Sequence, residues 1–302
     1  MKRNEIPLIS FVSLTYNHAK FVEDTIAGAL SQDYPNMEII ISDDASPDCT
    51  YEVMQRYLRE HPTDKNIRLN CNEKNMGLVP HLNYLMENFV HGDIVVLAGG
   101  DDISLPNRVS ETVEIFRSDE SIKMVTGQMI RINAEGEKIE QVPPMADGKY
   151  CLDDGYIQSL TFMCGAPGMA FRREVWDRFG SLHPLCPTED STLRLRALLN
   201  GQIMVLDKKF IKYRIHGNNI SLGSNTYKLK TKEIARQYMR DLRVAKELSL
   251  QPSVTIKRLK KKVVLYYCDR QLSYLQSKIR NRYVKYPFKI LQKVVNRIVK
   301  NI

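Results

Sequence analysis

Short apolar runs alternate with amphipathic segments along the first half of the chain. The runs are typical of strands buried on both faces of a parallel sheet, and the segments between them carry apolar residues at helical spacing. The predicted strands are 8–14, 38–42, 67–71 and 93–98, and the predicted helices are 19–32, 50–61, 80–89 and 109–117. Because this order requires crossover connections, we expect an α/β fold with a mostly parallel sheet and flanking helices.

The second half continues this pattern and then changes character. A strand over 124–132, a helix over 188–200 and a strand over 203–206 are predicted before the pattern becomes helical and rich in Lys, Arg and Tyr. We therefore expect two regions, an α/β domain over 1–226 and a basic, amphipathic helical region over 227–302.

Composition indicates a soluble globular protein with unevenly distributed charge. The 302 residues are 43% hydrophobic and 26% charged, with a net charge of +9. Residues 227–302 hold 21 Lys+Arg against 4 Asp+Glu, whereas residues 1–226 hold 23 against 31. The six cysteines have no paired or metal-type spacing, and the apolar run at 6–14 is too short for a signal peptide. Both features are typical of a cytoplasmic protein with reduced thiols.

The end of the chain has two interpretations. In 288–299, apolar residues share one helical face and basic residues lie largely elsewhere. Such a helix either lies on an anionic membrane surface or packs on the domain with a solvated basic face. The first interpretation predicts a peripheral protein on the inner face of the membrane. No nucleic-acid reader motif accompanies the charge, so we expect no nucleic-acid partner.

Polar clusters follow four successive predicted strands, at 15–17, 43–46, 75–77 and 101–102. Each cluster alone is ordinary turn chemistry. Together they predict one crevice at the carboxyl edge of the sheet, where ligands of open α/β sheets bind. The two carboxylates at 101–102 suit Mg²⁺ or Mn²⁺ bridging a phosphorylated substrate.

These clusters belong to longer motifs that resemble family 2 glycosyltransferases. The motifs are T-Y-N-H at 15–18, Q-D-Y-P-N-M-E-I-I-I-S-D-D-A-S at 32–46, N-M-G at 75–77, T-E-D at 188–190 and Y-R-I-H-G-N-N-I-S at 213–221. The resemblance runs from about residue 7 to residue 221. It implies a GT-A fold, in which a Rossmann-like nucleotide-binding half merges with an acceptor-binding half.

The resemblance also implies an activity. It is the metal-dependent, inverting transfer of a sugar from a nucleotide-sugar donor, UDP being the expected nucleotide, to a glycan or lipid-linked acceptor. Such enzymes commonly build bacterial surface polysaccharides.

Carried over by position, the resemblance implies a set of donor contacts. The expected donor-binding residues are Thr15, Asn17, Asp43, Asp44, Asn75, Gly77, Gly100 and Asp101. A carboxylate at Asp43 can accept a hydrogen bond from a ring N–H of the base, and Gly77 lets the backbone approach the ribose closely. Asp44 has an alternative role, which is to hold the turn together with Ser46.

The implied metal site departs from the usual Asp-x-Asp motif. Asp101 stands at the last carboxylate of that motif, but Gly99 stands at the first. The expected metal ligands are therefore Asp101, Asp102 and His216, supplemented by diphosphate oxygens and water. The alternative for His216 is a loop hydrogen bond.

The implied general base is Asp190, which would take the proton of the acceptor hydroxyl. The alternative is that it only complements the dipole of the helix that begins there. Glu189, Arg214 and Gly168 are expected near the diphosphate or the acceptor, although Arg214 has a salt bridge as its alternative.

Other residues are expected to be structural. Trp176 is expected in the core, with sugar stacking as the alternative, and His18 and His81 are expected on a loop and on a helix surface.

Three other functions have less support from the sequence. A sugar-phosphate nucleotidyltransferase needs a Gly-rich phosphate loop after the first strand, which 13–19 lacks. A dehydrogenase needs G-x-G-x-x-G there. A non-catalytic glycan-binding relative stays open because of Gly99.

Overall fold

The predicted alternation of strands and helices is present in the structure. The computed structural model describes residues 6–139, 146–153, 168–217, 219 and 231–279, and their side chains except those of 231 and 269–279. The strands are β1 (Ile9–Thr15), β2 (Met37–Asp43), β3 (Asn66–Cys71), β4 (Ile94–Gly99), β5 (Ile103–Ser104), β6 (Ile122–Ile132), β7 (Gly148–Tyr150), β8 (Met169–Arg172) and β9 (Gln202–Arg214). The helices are α1 (Val22–Leu30), α2 (Thr50–Glu60), α3 (Leu78–Asn88), α4 (Arg108–Ser118), α5 (Glu174–Asp177), α6 (Asp190–Asn200), α7 (Thr231–Glu247) and α8 (Ser253–Ile279).

The described strands form one mixed sheet in the order β3-β2-β1-β4-β8-β6-β9-β5, with β7 paired to β9. The strands β1, β2, β3 and β4 are mutually parallel, and β6 is parallel to β9. The shorter strands β5, β7 and β8 run antiparallel to their neighbours. The sheet is thus mostly parallel, as the sequence predicts.

The strand register aligns the carboxyl ends of β1, β2, β3 and β4 along one edge of the sheet. Thr15 lies opposite Asp43, which lies opposite Cys71, and Leu14 lies opposite Gly99. The residues that follow these ends therefore emerge side by side, so the expected convergence of polar clusters has a direct structural cause.

Alternate residues of each strand face two apolar layers. Phe11 and Val96 are buried with residues of α1, α2 and α4. Val12 and Leu97 are buried with residues of α3, α5, α6, α7 and α8. Both faces of the sheet are covered, which explains why its central strands have uninterrupted apolar sequences.

The basic helical region contributes to the second of these layers. Tyr238 and Leu242 of α7 and Leu259 and Val263 of α8 are buried in the same core as α6. The boundary at 226 stays a prediction, and the amphipathic segment at 288–299 lies outside the described residues. None of the described helices is both long enough and apolar enough to cross a membrane.

The main errors of the sequence prediction concern the strands of the second half. β9 extends to Arg214 rather than ending at 206, because its exposed stretch Asp207-Lys208-Lys209 hides the strand pattern. The short strands β5 and β8 were not predicted. β8 is four residues long and buried throughout, so it has no alternation by which a strand is recognised.

A buried ion pair joins α7 to α6. Arg196 Nε and Nη2 donate to the two carboxylate oxygens of Asp241 at 3.0 and 3.1 Å, and both side chains are fully buried. Gln237 donates to the same carboxylate at 2.8 Å. Removing either charge leaves the other buried without its partner, which is strongly destabilising.

We expect Asp241→Asn to lower the free energy of unfolding by about 3–5 kcal/mol, because Arg196 then keeps an uncompensated charge. Glu233→Gln, on the same helix, breaks the pair with Arg236, a side chain that is 52% exposed. This control is expected to cost about 1 kcal/mol or less. Urea unfolding followed by circular dichroism measures both, and equal losses would contradict the assigned role of the buried pair.

Candidate functional site

A tight turn after β2 is braced by Asp43. Its carboxylate accepts hydrogen bonds from the Ser46 backbone N–H at 2.9 Å, the Ser46 hydroxyl at 2.5 Å and Thr15 Oγ1 at 3.1 Å. The backbone N–H of Asn17 donates to Ser46 Oγ at 2.8 Å, and both Asn17 and Ala45 have positive φ. Asp43 and Ser46 therefore hold the turn together, a role that was expected for Ser46 but not for Asp43.

Asp44 binds the loop that follows β3. Its carboxylate accepts hydrogen bonds from the backbone N–H groups of Met76 at 2.9 Å and Gly77 at 2.8 Å, and from Asn72 Nδ2 at 2.8 Å. Gly77 has φ +86, which a residue with a side chain adopts only under strain. Asn75 is exposed in this loop, so it lies open to solvent beside the turn that Asp43 braces.

His81 supports this loop from inside the protein rather than lying on a helix surface. It is buried, and its Nε2 lies 2.6 Å from Ser42 Oγ. Asn70 Nδ2 donates both to Ser42 Oγ at 2.8 Å and to Asn72 Oδ1 at 2.9 Å, which continues the chain of contacts to Asp44. Burial lowers the pKa of His81, so the ring is neutral at pH 7.

The two glycines after β4 allow close packing. The backbone N–H of Gly100 donates to Leu14 O at 2.9 Å, and a Cβ at this position would lie 2.5 Å from Thr15 Cγ2 and 2.6 Å from His18 Nδ1. A Cβ on Gly99 would lie 2.7 Å from Asp101 Oδ1. The absence of side chains therefore lets the Asp101 carboxylate and the His18 ring occupy this corner.

Asp101 is the centre of a small polar cluster. Its Oδ2 lies 3.0 Å from His216 Nε2, 4.0 Å from His18 Nε2 and 3.3 Å from Asn219 Nδ2. Asn219 also accepts the His216 backbone N–H at 2.6 Å, which fixes the loop after β9. His18, expected on a loop without a site role, is the residue that sequence reasoning missed. Its position directly after T-Y-N, on the loop next to β4, was the available signal.

Asp102 is buried beside this cluster. Its side chain is 3% exposed, and its Oδ1 accepts the Arg214 backbone N–H at 2.9 Å. Burial, reinforced by the nearby Asp101 charge, raises the pKa of Asp102 well above its usual range. The structure thus gives Asp102 a role in joining β4 to β9, and its metal ligation stays a prediction.

Arg214 is a buried structural clamp. Its guanidinium donates to Asp101 O at 2.9 Å, Ala134 O at 2.8 Å and Asp24 Oδ2 at 2.6 Å, and it lies over the Phe21 ring. Of the two alternatives drawn from the sequence, the structure has the salt bridge. The clamp holds the backbone of Asp101 in place.

A second pair of carboxylates lies at the start of α6. Glu189 is 7% exposed, whereas the Asp190 side chain is 21% exposed and lies 3.5 Å from Arg194 Nη2. Burial, followed by the charge of Asp190, raises the pKa of Glu189 to about 7. Asp190 is therefore the more accessible of the two, as a proton acceptor must be.

Gly168 and Trp176 are the two remaining candidates from the sequence. A Cβ on Gly168 would lie 3.1 Å from Thr126 Oγ1, and residues 154–167, which precede it, lie outside the described residues. Trp176 is 4% exposed and belongs to the core, which confirms the expectation for it.

His18, Asp101 and His216 fit a divalent cation. One donor atom from each lies within 4.8 Å of the others, in the only such group of three found among the described residues. Ligands about 2.0–2.2 Å from one ion are separated by about 3.0–4.4 Å, which matches the two distances measured to Asp101 Oδ2. Two imidazoles and one carboxylate form a donor set that divalent transition metals accept.

The sequence has relatives of known class. Residues 10–180 match the family model described as glycosyl transferase family 2. The glycosyltransferase alr2836 of Nostoc sp. is 26% identical over 254 residues, which are 78% of this chain and 76% of the relative. Bacillus subtilis TuaG, whose name assigns it to teichuronic acid biosynthesis, is 30% identical over 110 residues, 36% of this chain and 42% of the relative.

Two solved structures share the fold. Staphylococcus aureus TarS in complex with UDP-GlcNAc has a TM-score of 0.62 at 18% identity, covering 95% of this chain and 79% of that chain. The mannosyltransferase PcManGT of Pyrobaculum calidifontis, in complex with GDP-Man and Mn²⁺, has a TM-score of 0.58 at 17% identity, covering 98% and 81%. These similarities confirm the GT-A fold that the sequence predicts.

We expect the buried carboxyl of Glu189 to make stability depend on pH. The folded state keeps its proton up to about pH 7, whereas the unfolded chain releases it near pH 4.3, at about the ordinary value. The free energy of unfolding therefore falls as pH rises between these values, by up to about 4 kcal/mol.

Glu189→Gln lacks this titration, so its stability relative to the unmodified protein should rise from pH 4.5 to pH 8. Urea unfolding across this range measures the difference, with the exposed Glu247→Gln as control. Parallel curves for the unmodified protein and Glu189→Gln would show that Glu189 titrates normally.

Proposed function

The chain belongs to glycosyl transferase family 2. We propose that it transfers the sugar of a UDP-sugar donor to a hydroxyl of a glycan or lipid-linked acceptor, with inversion at the anomeric carbon. The observation that carries the proposal is the convergence of the Asp43 turn, the 75–77 loop and Asp101 at one edge of the sheet. Family membership favours this activity over the nucleotidyltransferase alternative.

The donor nucleotide is proposed to lie between the turn after β2 and the loop after β3. Asn17 and Asn75 are exposed there, on backbone fixed by Ser46 and Asp44 respectively. Asp43 is buried and its oxygens already accept several hydrogen bonds, so its contact with the base would be added to the brace it provides. The choice of UDP is supported by the UDP-GlcNAc complex of TarS, while GDP-Man in PcManGT makes GDP the alternative to test.

A divalent cation, Mg²⁺ or Mn²⁺, is proposed at Asp101 and His216. When bound, it would stabilise the negative charge that develops on the leaving diphosphate. Asn219 accepts a hydrogen bond from the backbone N–H of His216, and the Arg214 guanidinium donates one to the backbone carbonyl of Asp101. Both ligands are therefore held in position by their backbones. The ligands are therefore placed before the donor binds, which avoids an entropic cost at that step.

Asp190 is proposed as the general base. The acceptor oxygen attacks the anomeric carbon as the bond from this carbon to the diphosphate oxygen breaks. The acceptor proton passes to a carboxylate oxygen of Asp190, and the leaving diphosphate takes the bonding electron pair. Attack from the face opposite the leaving group inverts the configuration. Glu189, with its raised pKa, is largely protonated below pH 7 and so adds little competing charge there.

The basic helical region is proposed to bind an anionic membrane surface, where a lipid-linked acceptor is available. Lys257 and Lys261 of α8 are exposed, and the amphipathic segment 288–299 follows the described part of the chain. Basic side chains near an anionic surface contribute about 1 kcal/mol each. The place in bacterial surface polysaccharide synthesis is supported by the name of TuaG.

We expect Asp190→Asn to lower sugar transfer by about 10²–10⁴-fold, because the amide cannot accept the acceptor proton. A panel of sugar nucleotides in a thermal-shift assay first identifies the donor, and EDTA should abolish its turnover. Donor binding to Asp190→Asn should match that of the unmodified protein, and the exposed Asp207→Asn serves as control. Unchanged transfer by Asp190→Asn would exclude it as base, and the absence of any donor shift would favour a non-catalytic relative.

We expect the full chain to sediment with vesicles that contain phosphatidylglycerol and not with phosphatidylcholine vesicles, since attraction to anionic lipid drives binding. Raising the salt concentration should release it. Truncation after residue 287 should weaken binding, and equal sedimentation of the full and truncated chains would exclude 288–302 as the membrane contact.

A further inference from the structure

We propose that His18 is a third protein ligand of the divalent cation, in the place left by the missing carboxylate at Gly99. This inference rests on the proposed metal-dependent function and specifies its metal site. The resulting set of two imidazoles and one carboxylate would select Mn²⁺ over Mg²⁺.

A side chain at position 99 would crowd the Asp101 carboxylate in its present position. A Cβ there would lie 2.7 Å from Asp101 Oδ1 and 3.2 Å from Asp102 Oδ2. Real Cβ atoms do not approach other heavy atoms as closely as the first of these distances, so any side chain at 99 would displace the Asp101 carboxylate. The glycine is therefore part of the placement of Asp101.

His18 is held where it can replace the carboxylate that is missing at position 99. Its backbone N–H donates to Thr50 Oγ1 at 2.9 Å, and its carbonyl accepts the N–H groups of Phe21 and Val22 at 2.8 and 2.9 Å as α1 begins. The ring lies against Gly100, where a Cβ would be 2.6 Å from Nδ1. The backbone and one side of the ring are thus fixed, while Nε2 lies 4.0 Å from Asp101 Oδ2.

The donor atoms are two imidazole nitrogens and one carboxylate oxygen, from His18, His216 and Asp101. The His18 and His216 rings are edge to face with centroids 6.2 Å apart, and both place a nitrogen near the same carboxylate oxygen. The two histidines are separated by nearly the whole domain in sequence, and β1, β4 and β9 bring them together. Imidazole is a ligand of divalent transition metals, whereas Mg²⁺ prefers oxygen ligands and water, so two imidazoles in one site favour Mn²⁺ over Mg²⁺.

Electron spin echo spectroscopy of the Mn²⁺-loaded protein tests the assignment without reference to activity. We expect couplings from two ¹⁴N nuclei in the unmodified protein, both with Mn²⁺ alone and with Mn²⁺ and UDP. His18→Gln and His216→Gln should each retain one nitrogen, and His91→Gln, on an exposed histidine paired with Glu38, should retain two.

Affinity gives a second measurement. Loss of an outer partner of a metal ligand costs about 10–100-fold in metal affinity, so His18→Gln should weaken Mn²⁺ binding by at least about tenfold. His18→Asp should shift the Mn²⁺/Mg²⁺ preference toward Mg²⁺, because an oxygen replaces a nitrogen.

The outcomes separate this inference from the proposed function. A single nitrogen in the unmodified protein, retained in His18→Gln and lost in His216→Gln, would overturn the role of His18 and leave the Asp101–His216 site intact. The absence of any nitrogen coupling would overturn both. The nitrogen count of the unmodified protein decides the matter even if a variant does not fold.

Discussion

The parallel register of β1, β2 and β4 is the constraint on which the site depends. It sets Thr15 opposite Asp43 and Leu14 opposite Gly99, so the turns after these three adjacent strands leave the sheet side by side. Parallel strands need buried faces, which the two helical layers provide. The same burial makes unpaired polar groups costly, so Asp43, Asp44 and Asp102 are each satisfied by hydrogen bonds to neighbouring loops. The register therefore determines both where ligands can bind and which carboxylates remain available to them.

This division of labour among carboxylates explains the candidate site. Asp43, Asp44 and Asp102 stabilise the loops, and Asp101 is left facing two imidazoles. Arg214 has a matching structural role, since its guanidinium binds the Asp101 carbonyl and two other elements of the fold. A mobile arginine could neutralise a diphosphate, but a buried one with several partners instead holds in place Asp101, the residue proposed to bind the cation. We infer that the charge of the donor is balanced at Asp101 through a cation.

Much of the fold follows from the sequence because its periodicity is strong. The uninterrupted apolar run of β4 and the amphipathic pattern of α2 identify a buried strand and a covering helix at nearly their observed bounds. β8 and the charged part of β9 could not be found in this way, because tertiary pairing rather than local pattern makes them strands. The individual side-chain roles were harder still to infer. The position of His18 beside Asp101 and the hydrogen bond from Arg214 to Asp102 join segments that are far apart in sequence, so the local pattern does not reveal them.

Anomalous diffraction from a crystal grown with Mn²⁺ and UDP tests the central claim most directly. We predict a manganese peak within about 2.0–2.4 Å of an Asp101 carboxylate oxygen, with the diphosphate coordinating the same ion. A peak elsewhere, or a diphosphate bound by Arg214 without any metal, would contradict it.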